Sequence, residues 1–186
     1  TLHVRALEPR PGERRQPDGT LVLLAQNETG WRHLMALSSA AYLDVDPAER
    51  AHVPFAQVLA AQDGLIALTG GPDGLLNRSV VDGRPGLAAE WLEQLHAVFG
   101  DRLYVELQRH GRREELAAED WLVEQAYARG LPLVATNEPY FLKPEMHAAH
   151  DALLCIAEGS YVNRSDRRQV TAEHYLKTPQ EMAERF

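Results

Sequence analysis

The residues of this chain that could do chemistry gather where apolar runs end. Leu131, Leu133, Val134 and Ala135 follow Gly130 and read as a short strand covered on both faces. Thr136, Asn137, Glu138 and Tyr140 come directly after it. The carboxyl ends of strands are where α/β folds place their chemistry. Glu106 poses a similar question, since it lies between Val105 and Leu107 and is followed by Gln108 and His110. A carboxylate in an apolar strand is costly unless it is paired or sits at the strand's end. Two readings stand side by side. Glu106 and His110 hydrogen-bond each other and neighbouring loops, or they face a barrel mouth and offer oxygen and imidazole donors to a metal ion.

Other constellations are less complete. His147 and His150 are three residues apart on one helical face, a spacing that serves zinc only when a third ligand is near, and His-Glu-x-x-His is not present. Gly70-Gly71-Pro72-Asp73-Gly74 follows an apolar run and resembles a phosphate cradle. It lacks both the Gly-Lys-Ser/Thr of a P-loop and dinucleotide-binding spacing, so a tight turn is the expectation. Arg164, Arg167 and Arg168 read as a solvated basic loop. His3, His33, His52, His96 and His174 show no site pattern. No Ser-His-Asp or Cys-His arrangement stands out.

The elements that must position these residues follow from periodicity. Strands are expected at Leu2–Ala6, Leu21–Ala25, Leu65–Leu68, Leu103–Leu107 and Leu131–Ala135. A helix follows the cap residues Asn27 and Thr29, with Trp31, Leu34, Met35, Ser38, Ala41 and Tyr42 on one face. Further helices are expected over Pro54–Ala61, after Gly86, over Glu114–Arg129 and over Pro144–Ala157. In the helix over Glu114–Arg129, Leu116, Leu122, Val123, Ala126 and Tyr127 point inward, Glu114, Glu115 and Glu119 point outward, and Gly130 ends it. Strands alternating with helices imply a parallel sheet with helices outside. Glu8–Thr20 reads as a polar, mobile loop and Tyr161–Arg168 as a second polar break.

Composition narrows the function classes. The 186 residues are 45% hydrophobic, which suits one domain with a real core. Lys plus Arg is 19 against 27 for Asp plus Glu, giving a net charge of −8. That excludes a general DNA-binding surface but not a local basic patch. The single cysteine, Cys155, excludes an internal disulfide and a cysteine-based zinc site, and its apolar neighbours mark a buried thiol. No apolar run approaches the roughly 20 residues of a membrane span, and Thr1-Leu2-His3 does not open a signal peptide. The expected location is cytoplasmic, with no membrane partner. A start without Met and an end inside a helical pattern suggest a piece of something longer.

Three stretches together are similar to one family: LVLLAQNETGWRHLMALSSAAYL (21–43), DRLYVELQRHG (101–111) and ARGLPLVATNEPYFLKPEMHAAHDALLCIAEG (128–159). GLIALTGG (64–71) and YLKTPQEM (175–182) match in order. They resemble the N-terminal polymerase-and-histidinol-phosphatase (PHP) domain of bacterial DNA polymerase III alpha subunits. The Asn-Glu-Pro-Tyr-Phe form at 137–141 resembles the alphaproteobacterial ones.

The resemblance implies an α/β fold, a partial distorted β/α barrel of PHP type, TIM-like, with its first strands absent. It implies that residues 1–160 form the barrel portion and 161–186 lead toward the next polymerase domain. Complete PHP domains bind a metal cluster through His and carboxylate ligands, and some are phosphoesterases or 3′–5′ exonucleases. Their His-x-His and Asp-His opening segments are not in this chain. An acidic ligand of the family would fall near Thr1, a histidine at Thr20, and an Asp-x-His at Glu138-Pro139-Tyr140; a later histidine is kept as His150. Thr and Tyr are poor substitutes for imidazole toward divalent metals. The resemblance therefore implies a degenerate site with no catalytic residue and no metal expected, its cleft candidates being Thr20, Glu106, His110, Glu138, Tyr140 and His150. It further implies a parent DNA-directed DNA polymerase using magnesium. The partners implied are the remaining polymerase domains, the proofreading exonuclease subunit, and DNA through the parent protein. The competing expectation is a metal-dependent phosphoesterase or exonuclease acting through Glu106, His110, Glu138 and His150.

Overall fold

The computed structural model of the chain describes residues 1–8, 16–164 and 166–186. Six strands form one sheet: β1 (Leu2–Arg5), β2 (Gly19–Ala25), β3 (Val53–Pro54), β4 (Leu65–Leu68), β5 (Leu103–Leu107) and β6 (Leu133–Ala135), in the spatial order β3-β1-β2-β4-β5-β6. Seven α-helices accompany them among the described residues: α1 (Glu28–Leu43), α2 (Phe55–Ala60), α3 (Leu75–Val81), α4 (Pro85–Phe99), α5 (Arg113–Arg129), α6 (His147–Glu158) and α7 (Pro179–Arg185). The fold is mixed α/β and the sheet is open, with β3 and β6 as its edges.

The sheet is mixed rather than parallel. β2 runs antiparallel to both β1 and β4, whereas β1–β3, β4–β5 and β5–β6 are parallel. Parallel neighbours require a crossover, and α3, α4 and α5 supply it for the later strands. The expected loop Glu8–Thr20 ends earlier than its composition suggests, because Gly19 and Thr20 already pair with Val4 and His3. Its residues 9–15 lie outside the described residues, as does 165 of the second polar break.

Strand side chains Val4, Leu21, Leu65, Leu103 and Val105 pack with Leu37, Val58, Leu75, Leu92, Leu95, Phe99 and Leu122 from the helices, all nearly free of solvent. β6 departs from expectation. It is an edge strand, Leu133 and Ala135 are exposed, and only Leu131 before it is buried. An apolar run without alternation did not distinguish a strand covered on both faces from one at an open edge.

Two helices bury other faces than their patterns suggest. α1 buries Gly30, Leu37 and Ala41 and exposes Trp31, Met35 and Tyr42. α5 buries Glu115, Ala118, Leu122 and Ala126 and exposes Leu116 and Tyr127. Glu115 turns inward because it closes the first turn of its own helix, taking the Arg112 N–H at 3.0 Å. Gly130 ends α5 in the left-handed conformation, as expected.

α1 approaches the sheet through a glycine pair. Asn27 Oδ1 accepts from the Gly30 N–H at 3.1 Å, and a Cβ on Gly30 would stand 1.8 Å from the Gly64 carbonyl oxygen. Gly30→Ala is therefore expected to lower stability by about 2 kcal/mol, although alanine is the better helix former. Gly86→Ala, where a Cβ meets nothing within 4 Å, is expected to cost nothing. Urea midpoints of the two variants check the pair; equal midpoints would refute the close-approach argument.

Candidate functional site

Glu106, His110, Glu138 and Tyr140 lie at or past the carboxyl ends of β5 and β6, whereas Thr20 is on β2 and His150 on α6. Glu106 is on β5, and its N–H donates to Thr69 Oγ1 at 2.9 Å. Its Oε1 is taken by the Thr136 hydroxyl and by Gln108 Nε2 at 3.2 Å. Its Oε2 is buried without a hydrogen-bond partner among the described residues. His110 follows β5 and is 1% exposed. Nδ1 meets Glu115 Oε1 at 2.8 Å, and Nε2 meets Asn137 Oδ1 at 2.9 Å. Glu106 and His110 thus do bond to neighbouring segments, but not to each other.

Asn137 is fixed in its turn, because its Nδ2 donates to Tyr175 O at 2.7 Å. Glu115 Oε2 also accepts the His110 N–H at 2.8 Å. Four separate segments are therefore tied at one buried imidazole: the end of β5, the first turn of α5, the end of β6 and the chain around Tyr175.

A column of rings extends from this point. His174 stacks on His110 with centroids 4.0 Å apart and planes 15° from parallel. Tyr140 stacks on His174 at 5.4 Å, and His150 on Tyr140 at 5.4 Å. Phe141 packs beside His150 at 5.5 Å. His147 is not solvent-facing, since its Nε2 reaches Val170 O at 2.8 Å, and it does not join His150 at a shared ligand site. Burial pushes the Tyr140 hydroxyl pKa up, and Glu138 beside it adds to the effect.

Thr20, Glu138 and Tyr140 line one cleft of about 470 Å³, together with Asp73 and Gln108. The Gly70–Gly74 loop forms one wall as a tight turn, with the Gly74 N–H donating to Gly71 O at 2.7 Å. Arg50, Arg78, Arg112 and Arg168 also face this cleft. Sequence reasoning missed all four there, and it missed His174, Asn137 and Glu115. The arginines come from distant segments, and the one that stood in a readable run, Arg168 beside Arg164 and Arg167, reads there as part of a solvated loop rather than of a cleft wall. Asn137 stood in the polar cluster without a role, and Glu115 gave a readable signal as the third residue of α5 after its cap.

A metal cluster does not fit these side chains. Among the described residues, no three His, Cys, Asp or Glu side chains are grouped to hold an ion. Thr20 spends its hydroxyl on Asp73 O at 3.1 Å, Tyr140 is stacked between two imidazoles, and both His110 nitrogens are engaged. His150 keeps a buried Nδ1 without a partner among the described residues, but one imidazole does not hold a divalent ion.

The buried network makes stability depend on pH. Burial first, and His110 second, lower the His174 pKa from 6.5 to about 4. The unfolded chain then binds a proton near pH 6.5 that the folded chain refuses until about 4, so stability falls as pH drops through that window. Glu115, whose charged form is favoured by its bonds to His110 and Arg112 although burial opposes it, adds a loss at lower pH. His174→Asn is expected to flatten the slope of urea midpoints between pH 6.5 and about 4. Glu115→Ala is expected to cost about 3 kcal/mol at neutral pH, because it strands buried donors. A wild-type midpoint constant across the window would contradict the assignment to His174.

Comparison with known proteins gives this site its context. The PHP domain family matches residues 5–110. The DNA polymerase III subunit alpha of Caulobacter vibrioides is 49% identical over 176 residues, which are 95% of this chain and 15% of that protein. The protein of the same name from Rickettsia prowazekii is 36% identical over 166 residues, 89% of this chain and 14% of that protein. That of Pseudomonas fluorescens is 36% identical over 180 residues, 92% of this chain and 15% of that protein. The chain thus spans about a seventh of the length of these relatives. It belongs to the PHP domain family and is similar throughout to the part carried by bacterial DNA polymerase III alpha subunits, alphaproteobacterial ones included.

Proposed function

We propose that this chain is the PHP portion of a replicative DNA polymerase III alpha subunit, and that its own role is structural. In this reading it stabilises the polymerase and offers a docking surface for the proofreading exonuclease subunit. The parent polypeptide would add deoxynucleotides to a primer end, with magnesium held by carboxylates of another domain. Residues 161–186 would lead toward that next domain.

The observation that carries the reading is His110. A metal ligand must present a lone pair to an open position, with its other nitrogen held by a supporting partner. Here both nitrogens are consumed by side chains that tie the fold together. The exposed apolar side chains Trp31, Met35 and Tyr42 on α1, with Leu153 and Ile156 on α6, support the docking half of the reading. Exposed apolar patches of this kind are characteristic of protein contacts.

The test combines three measurements on the purified chain. Metal analysis after incubation with zinc or manganese is expected to show less than one ion per chain. A primed template with magnesium and deoxynucleotides is expected to remain unextended. Sedimentation with the exonuclease subunit of the same organism is expected to show a complex weakened by Trp31→Ser with Tyr42→Ser. Stoichiometric metal together with exonuclease activity abolished by Glu138→Ala would overturn the reading in favour of a phosphoesterase.

A further inference from the structure

α6 is turned the opposite way from an ordinary surface helix. The side chains it directs at the domain are largely polar. His147 reaches Val170 O at 2.8 Å, His150 stacks on Tyr140, and Asp151 takes the guanidinium of Arg167. Cys155 is the one residue it buries. Its apolar residues face solvent: Met146 just before the helix, then Ala149, Leu153 and Ile156. A surface helix ordinarily lays such a stripe on its own core.

The stripe has the spacing of a helix seam. Steps of three, four and three residues lead from Met146 to Ile156. That spacing keeps one line of side chains turned toward a neighbouring helix that crosses at about 20°. Ala149 is small between Met146 and Leu153, which leaves a hollow for a side chain of the neighbour. Leu153 is 62% exposed and Ile156 78%. Leu142 before α6 and Tyr161 and Val162 after it are exposed as well, so the apolar exposure extends along the chain at both ends. A face of this kind marks a contact.

The chemistry of the stripe bears on how permanent that contact is. None of Met146, Ala149, Leu153 and Ile156 is polar. Interfaces that stay closed are more apolar than those that form and part. The exposed face of α1 differs: Trp31, Met35 and Tyr42 are interleaved with Ser38 and Ser39 and edged by the Glu28–Arg32 ion pair, an aromatic and polar mixture that suits an exchangeable partner. Residues 171–186 do not cover α6, because they return to the end of β5. Thr171 Oγ1 donates to His110 O at 2.7 Å, and Arg185 Nε donates to Arg109 O at 2.8 Å. The relatives have a permanent cover to offer, since this chain matches 15% of the Caulobacter protein and 14% of the Rickettsia prowazekii protein.

We propose that the outer face of α6 is the seat of an apolar helix from the rest of the same polypeptide, packed along Met146, Ala149, Leu153 and Ile156. The inference rests on the reading of this chain as a portion of a longer polymerase, and it leaves α1 as the face for a separate subunit.

The experiment is alkylation of Leu153→Cys under native conditions, in this chain and in the full-length polypeptide that contains it, with the rate read by mass mapping. Ser39→Cys on the exposed face of α1 is the reference, and the buried Cys155 reports unfolding. In this chain alone, positions 153 and 39 are expected to react equally fast. In the full-length polypeptide without other subunits, position 153 is expected to react about tenfold or more slowly, because it must wait for local opening. Leu153→Asp with Ile156→Asp gives an independent reading. It is expected to leave the urea midpoint of this chain in place, since both residues are exposed, and to lower that of the full-length polypeptide. Equal rates at 153 in the two polypeptides would overturn the proposal. So would protection of this chain that grows with its own concentration, which indicates a second copy, or protection that appears only when the exonuclease subunit is added. Primer extension by a full-length polypeptide whose position 153 stays reactive would overturn this inference alone; a protected position 153 without primer extension would overturn the polymerase reading instead.

Discussion

The buried contact between His110 and Glu115 organises the end of the sheet beside which the candidate site residues gather. One carboxylate closes the first turn of α5, accepts the His110 backbone N–H and holds the His110 ring. The ring then holds Asn137, which holds the chain at Tyr175. Removing a single carboxylate would leave buried donors unsatisfied at the helix cap and on the imidazole together. Breaking such a pair is costly, whereas a surface pair at this distance would contribute little.

The same contact explains how a weakly apolar region stays attached. Past β6, Phe141 and Cys155 are the buried apolar side chains among the described residues, and Leu142, Leu153 and Ile156 face solvent. The connection is instead aromatic and ionic. His174 and Tyr140 continue the stack from His110, Arg167 grips Asp151 through bonds of 2.6 and 2.7 Å, and Arg109 and Arg185 exchange bonds to each other's carbonyl oxygens. Attachment through polar groups is sensitive to protonation in a way that apolar burial is not.

Legibility from the sequence followed how local each cause was. β4 and β5 are where their apolar runs place them, and α5 ends at Gly130 because a left-handed residue stops a helix. β3 has two residues and α3 follows directly on the glycine-rich turn, so neither left a periodic trace. The exposed edge at β6 is a matter of what lies beside the strand, which its own residues do not encode. In the site, the polar cluster after β6 was visible, as were Glu106, His110 and His150. Their partners were not: His174 lies 64 positions from the ring it stacks on, and the cleft arginines converge only in three dimensions.

The side chains at this end of the sheet are engaged mainly with one another. His110 could be kept as a structural residue because imidazole both donates and stacks, uses that do not need a metal. Tyr140 contributes a face to the same column while its hydroxyl stays at the cleft beside Glu138. The interior of this end of the sheet is filled by hydrogen bonds and rings, and the cleft beside it is lined in part by guanidinium groups. A cation cluster and an arginine cluster would each present positive charge to a cleft. They differ in chemistry: metal ions can activate water, whereas arginines only bind and orient an anion.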